Sequence, residues 1–179
     1  TRLVLDAVDR LVAGIEESGP LTVVAAPDST LVALATDETC DVFTITDAMT
    51  RAGWYVQPQL SFRAGRPTIH LSLSAATAPL VEEFLSALKA AVDAAVAAGP
   101  IEVTPDIAAF VRALDPDDLS DEDFDGLLAA VGMAGGGGVG LPESRAQISA
   151  LLDLATPALR EALLVAFLDR LTRPVRAVR

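Results

Sequence analysis

Asparagine is missing altogether from the 179 residues, so the chain offers no acceptor for an N-linked glycan. Cysteine and histidine occur once each, as Cys40 and His70. A lone cysteine excludes an internal disulfide and suits a reducing cytosol. A lone histidine leaves any triad or metal site to be built around one imidazole, and no metal-ligand spacing is present. Positive charge is scarce: 13 Lys and Arg face 25 Asp and Glu, a formal net charge of −12. A surface of that sign repels phosphate backbones and anionic lipid, which argues against a nucleic-acid partner. Long apolar runs are lacking too. The richest, Leu88 to Ala98, is broken by Lys89 and Asp93 and falls short of the ~20 residues of a membrane span. The N-terminus opens as a charged amphipathic segment and not as a signal peptide. It begins with Thr1 in place of Met, and the expectation is a processed chain or an excised piece of a larger protein.

A hydrophobic content of 51% supports a buried core. Leu3, Val4, Ala7, Val8, Leu11, Val12 and Ile15 recur at helical spacing up to the Gly19-Pro20 stop. Leu21 to Ala26 and Thr30 to Ala35 read as two strands joined by a turn at Pro27 to Ser29. Both runs are almost wholly apolar, which predicts strands covered on both faces. Val42, Ile45, Ala48 and Met49 start a second helix that Gly53 closes in a left-handed conformation. Trp54 to Leu60 reads as extended, Phe62 to Pro67 as loop, and Ile69 to Leu73 alternates, with His70 and Ser72 on the polar face. Pro79 opens a helix whose stripe runs from Val81 to Ala95, stopped by Gly99-Pro100. Beyond Pro100 the spacing predicts helices near 105–114, 121–131, 144–152 and 157–170. The expected architecture is α/β (α+β): a small sheet of about four strands covered by helices over 1–99, then an all-helical extension over 100–179.

Three patterns invite chemical readings. Residues 135–140, Gly-Gly-Gly-Gly-Val-Gly, satisfy G-x-G-x-x-G, but lack the preceding strand and the acidic residue about 20 positions on, so a loop is the better reading. Asp121, Asp123, Asp125 and Gly126 match the first half of a calcium loop, yet the twelfth position is Gly132 where a bidentate glutamate is needed. Ser120 as a helix cap, with acids in the first turn, accounts for the same residues. Cys40 precedes a helix start, where a thiol pKa can fall, but Glu38 and Asp41 oppose that and packing explains it.

The stretch Arg51-Ala52-Gly53-Trp54-Tyr55-Val56-Gln57-Pro58-Gln59, followed by Pro67-Thr68-Ile69-His70-Leu71-Ser72-Leu73-Ser74, resembles the C-terminal domain of sphingosine-1-phosphate lyase and its bacterial group II decarboxylase relatives. The long helix from Val81 to Ala97 and the closing Phe167-Leu168-Asp169-Arg170-Leu171 are similar as well, whereas Leu60 to Arg66 departs from the family's short link. The resemblance implies the small domain of a fold-type I enzyme, which covers a cleft whose pyridoxal phosphate sits on a lysine of the large domain. Lys89, the sole lysine, does not follow a histidine as that lysine usually does, so this chain alone is expected to bind no cofactor and to hold no catalytic residue. By resemblance, the substrate-channel candidates are Tyr55, Gln57, Gln59, Phe62 and His70. The implied partners are the enzyme's own large domain, a second copy in a homodimer, and a small amine or amino-acid substrate. Ala-rich, lysine-poor usage points to a bacterial cytoplasm. Two alternatives remain: a stand-alone α/β ligand-binding module without catalysis, and a dimerisation module using the stripe Leu159, Leu163, Phe167 and Leu171.

Overall fold

The computed structural model describes residues 2–130 and 145–172. It divides into two compact units, Thr1–Glu102 and Val103–Arg179.

The first unit is built on the alternation of its strands and the stripes of its helices. Helix α1 (Arg2–Glu16) buries Val4, Ala7, Val8, Leu11 and Ile15, the positions that its 3.6-residue period puts on one face. A side chain at Gly14 would collide with Leu85, its Cβ lying 2.5 Å from Leu85 Cδ1. Glycine there lets α1 lie close against the helix that carries Leu85. Four strands follow: β1 (Leu21–Val23), β2 (Leu31–Thr36), β3 (Gln57–Gln59) and β4 (Thr68–Ser72). They form one antiparallel sheet in the order β1-β2-β4-β3. Helix α2 (Val42–Arg51) links β2 to β3, and a short 3₁₀ turn at Ala78–Leu80 leads from β4 into helix α3 (Val81–Ala98).

Asp41 caps α2: its Oδ1 accepts from the Thr44 amide at 2.8 Å, while its Oδ2 accepts from the Ile101 amide at 3.1 Å. One carboxylate thus starts a helix and ties down the end of the unit. At the other end of α2, Gly53 takes φ +85°, the left-handed cap that its sequence position calls for.

The sheet departs from the expectation that its strands are covered on both faces. Val32 and Leu34 of β2 are buried with Ile69 and Leu71 of β4, whereas Leu31 is 60% exposed and Val24 56%. In an antiparallel ladder, directly opposed residues share a face. The register Ala33↔His70↔Gln57 and Leu31↔Ser72 therefore puts His70, Gln57 and Ser72 on the uncovered side beside the apolar Leu31. The apolar run misleads because its outer positions are held by alanines and a leucine that no helix covers. β1 is also shorter than the apolar run Leu21–Ala26, although the Val24 amide still donates to Ala33 O at 2.8 Å.

Cys40 packs in the core at 3% exposed. Burial is the chief reason its thiol sits above its ordinary pKa; the Asp37 and Asp41 charges push the same way, against a smaller effect of a hydrogen bond with Thr39. The folded chain thus disfavours the thiolate. This contribution is unchanged below the ordinary thiol range, and stability falls as pH rises through it toward the raised value. Iodoacetamide is expected to label native Cys40 more than about tenfold slower than the urea-unfolded chain. Equal rates would place the thiol at the surface.

The second unit holds helices α4 (Pro105–Ala113), α5 (Asp121–Ala130), α6 (Ala146–Leu154) and α7 (Pro157–Thr172). Val111, Phe124, Leu127, Leu151, Ala155, Leu159 and Leu163 make its core. Two residues of the stripe considered for dimerisation, Leu159 and Leu163, are thus spent inside the unit. Leu164, Val165 and Leu168 are the large apolar side chains of α7 that are exposed among the described residues.

The first half of the calcium pattern is a helix start. Ser120 Oγ accepts from the Asp123 amide at 3.0 Å, and Asp123 Oδ2 accepts from the Ser120 amide at 3.1 Å, a reciprocal cap. Asp121 and Asp125 pair with Arg170, whose guanidinium lies 4.4 Å from the Phe124 ring centre. Arg160 donates to Leu152 O and Asp153 O at 2.8 and 2.9 Å, closing the C-terminus of α6. The glycine-rich stretch 135–140 and Gly132 lie outside the described residues.

Candidate functional site

The β3–β4 ladder runs from Gln59↔Thr68 to Gln57↔His70, and beyond that last pair the two chains continue unpaired to each other. A groove of about 230 Å³ opens there. Leu11 of α1, Val56, Leu71, and Val81 and Phe84 of α3 supply its apolar floor, with Trp54 meeting Phe84 edge to face at 5.3 Å between ring centres. Tyr55, Gln57, His70, Ser72 and Thr77 supply its polar lining. The floor exists because strand alternation turns Val56 and Leu71 inward, while the same alternation turns Gln57, His70 and Ser72 out.

The Thr77 hydroxyl is engaged with Ser74. Among the described residues, no side-chain hydrogen bond engages Tyr55, Gln57, His70 or Ser72. Their donors and acceptors face solvent at the edge of an apolar surface. This arrangement can hold a molecule with one apolar and one polar end. Among the described residues, neither Asp, Glu, Lys nor Arg lines the groove, so they offer no fixed charge to a phosphate or ammonium there.

Of the residues proposed from sequence, the groove brings together Tyr55, Gln57 and His70. Tyr55 is 80% exposed at the rim. Gln59 pairs with Thr68 at the far end of β3 and is not part of the lining. Phe62 lies in a tight turn, bridged to Gly65, with the Arg63 guanidinium 5.1 Å from its ring centre, and does not line the groove either. Trp54, Phe84, Val81, Leu11 and Thr77 were not singled out. The signal for Trp54 was its place beside Tyr55, and for Phe84 its place on the inner stripe of α3.

The helical unit has its own groove of about 250 Å³, formed by Phe124, Leu128, Ile148, Leu152, Leu164 and neighbouring residues. Arg160 is its one charged lining residue and is already bonded to α6, so the groove offers little hydrogen-bonding chemistry. No group of three or more His, Cys, Asp or Glu among the described residues is placed to hold a metal ion. No helix among them is long and apolar enough to cross a membrane.

Residues 105–170, the described part of which is the four-helix segment, match the family model "Pyridoxal-dependent enzyme, C-terminal putative HTH domain". The chain is 32% identical over 109 residues to sphingosine-1-phosphate lyase of Arabidopsis thaliana, a match covering 60% of this chain and 19% of that protein. It is 32% identical over 100 residues to sphingosine-1-phosphate lyase of Oryza sativa subsp. japonica, covering 55% of this chain and 17% of the relative. The match thus spans less than a fifth of these relatives' length. Residues 105–170 are thus similar to the C-terminal domain of pyridoxal-dependent enzymes, and the chain is similar over 100 to 109 residues to part of two plant sphingosine-1-phosphate lyases.

Proposed function

We propose that this chain is the C-terminal part of a pyridoxal-phosphate-dependent carbon–carbon lyase or decarboxylase, in which the α/β unit covers the active-site cleft and lines the substrate channel. The observation that carries this reading is the groove at the end of the β3–β4 ladder, with hydrogen-bonding groups on an apolar floor beside an uncovered sheet face. A sheet face bearing Leu31 and Val24 costs free energy when left in water, roughly 25 cal/mol for each Å² of apolar surface. Covering it with the large domain of the same enzyme recovers that and turns the groove toward the substrate.

The described residues do not themselves fit the cofactor. Lys89, the only lysine, is a solvated residue of α3, 70% exposed and 3.5 Å from Asp93 one turn on, and it does not line the groove. A lysine there stands in solvent, with no phosphate cradle around it among the described residues. The Schiff base therefore belongs to the large domain, and this chain's residues bind, orient and exclude water. The substrate in this reading is a small amine or amino acid. In this reading the working form is a homodimer, and the Ala-rich, lysine-poor composition supports a bacterial cytoplasm as its setting.

In the full-length enzyme, Gln57→Ala and His70→Ala are each expected to lower kcat/KM about tenfold, a loss of ~1.4 kcal/mol of transition-state binding, with the cofactor absorption spectrum unchanged. Gln59→Ala, outside the groove, is the contrast and is expected to change little. Unaltered kinetics in both groove variants would remove the groove from the channel.

A further inference from the structure

We propose that the groove at the end of the β3–β4 ladder binds a short uncharged apolar group, a straight alkyl chain or single ring of about six to eight carbons, and that the Trp54–Phe84 pair is the wall that limits its length. This rests on the reading of the groove as part of the substrate channel and names what part of a substrate enters it.

The size follows from volume: an engineered dry protein cavity of ~150 Å³ takes benzene, and this groove measures about 230 Å³. The class follows from the lining. Leu11, Val56, Leu71, Val81, Phe84 and Trp54 present carbon to the interior, and no carboxylate, lysine or arginine lies among the lining residues. A phosphate or ammonium buried against them would lose its hydration without compensation, so the charged end of a substrate lies elsewhere. A hydroxyl or carbonyl at the near end of the apolar group meets Gln57, His70, Ser72 and Tyr55, whose side-chain hydrogen-bonding groups are unspent within the described protein. The aromatic pair sets the limit because its edge-to-face contact joins α3 to the segment after α2. Shortening Phe84 opens space without touching the polar rim.

Trp54 is the only tryptophan in the chain, so its emission reports on the groove alone. The 179-residue chain is titrated with straight-chain alkan-1-ols from butanol to decanol while this emission is followed. Affinity is expected to rise about fourfold for each added methylene and to level off near eight carbons. Phe84→Ala is expected to move that levelling two or three carbons further, and His70→Ala to leave it in place. Should Phe84→Ala fail to fold by circular dichroism, Phe84→Leu moves the limit by about one carbon. Absence of a saturable change, an affinity independent of chain length, or an unmoved limit in a folded Phe84 variant would each overturn the proposal. Saturable binding of alkanols with unaltered kinetics of the Gln57 and His70 variants would keep the site and remove the channel. Altered kinetics with no alkanol binding would keep the channel and remove this apolar subsite.

Discussion

Leu34→Ala is expected to destabilise the α/β unit by about 2–5 kcal/mol, the range for deleting a fully buried leucine side chain and leaving a cavity behind. Leu34 is 0% exposed and faces Ile69 directly across the β2–β4 ladder, so the void opens in the core beneath the sheet, where close-packed neighbours would have to collapse to fill it. Leu31→Ala removes the same atoms from the same strand, but from the uncovered face, and is expected to cost no more than about 0.5 kcal/mol in this chain. Urea unfolding followed by Trp54 emission reads this unit, because the only tryptophan lies in it. Equal costs at the two positions would mean that the outer face is packed. In a full-length protein of the proposed arrangement the contrast should shrink, since there Leu31 lies under the large domain.

Arg170→Ala has the next largest expected effect, about 2 kcal/mol on the helical unit. Arg170 bonds Asp125, bonds the carboxylate and the carbonyl of Asp121 at 3.1 and 2.9 Å, and stacks over Phe124, which holds its guanidinium firmly protonated. The hydrogen bonds to Asp125 come first among the causes of that upward shift, ahead of those to Asp121. Both carboxylates are about two-thirds exposed, so their share is screened and discounted; the stacking, worth ~0.5–2 kcal/mol, and the buried alkyl stem make up the remainder. Amide exchange in α5 and α7 should quicken by roughly 30-fold, the equivalent of that energy. Arg170→Lys is expected to restore less than half, because an ammonium cannot reach two carboxylates in a fork or stack flat on a ring. A wild-type exchange rate in the alanine variant would make the clasp idle.

The order of helices and strands in the first unit was legible because α1 and α2 carry a clean 3.6-residue stripe and the punctuation at Gly19-Pro20, Gly53 and Gly99-Pro100 admits one reading. The covering of the sheet was not legible. Leu31, Ala33 and Ala35 look the same in a list of apolar residues whether or not a helix lies over them. The groove was partly legible. Gln57 and His70 were named through the resemblance, but their meeting depends on the β3–β4 register, and a shift of one residue would have turned both toward the core. Gln59 shares the strand and the chemistry of Gln57 and is separated from it only by that register. The aromatic wall escaped notice because Phe84 satisfies the inner stripe of α3 as any core residue would.

The sheet also has two blunt edges. β1 is three residues long and is followed within a few residues by Pro27; β3 is three residues long with Pro58 at its centre, which has no amide hydrogen to donate. Short edges interrupted by proline give a foreign strand almost nothing to pair with. The sheet is therefore protected against growth by strand addition, the usual route from an exposed apolar strand to aggregation. Its apolar outer face can stand open without inviting fibres, and association is directed to that face instead of the rims.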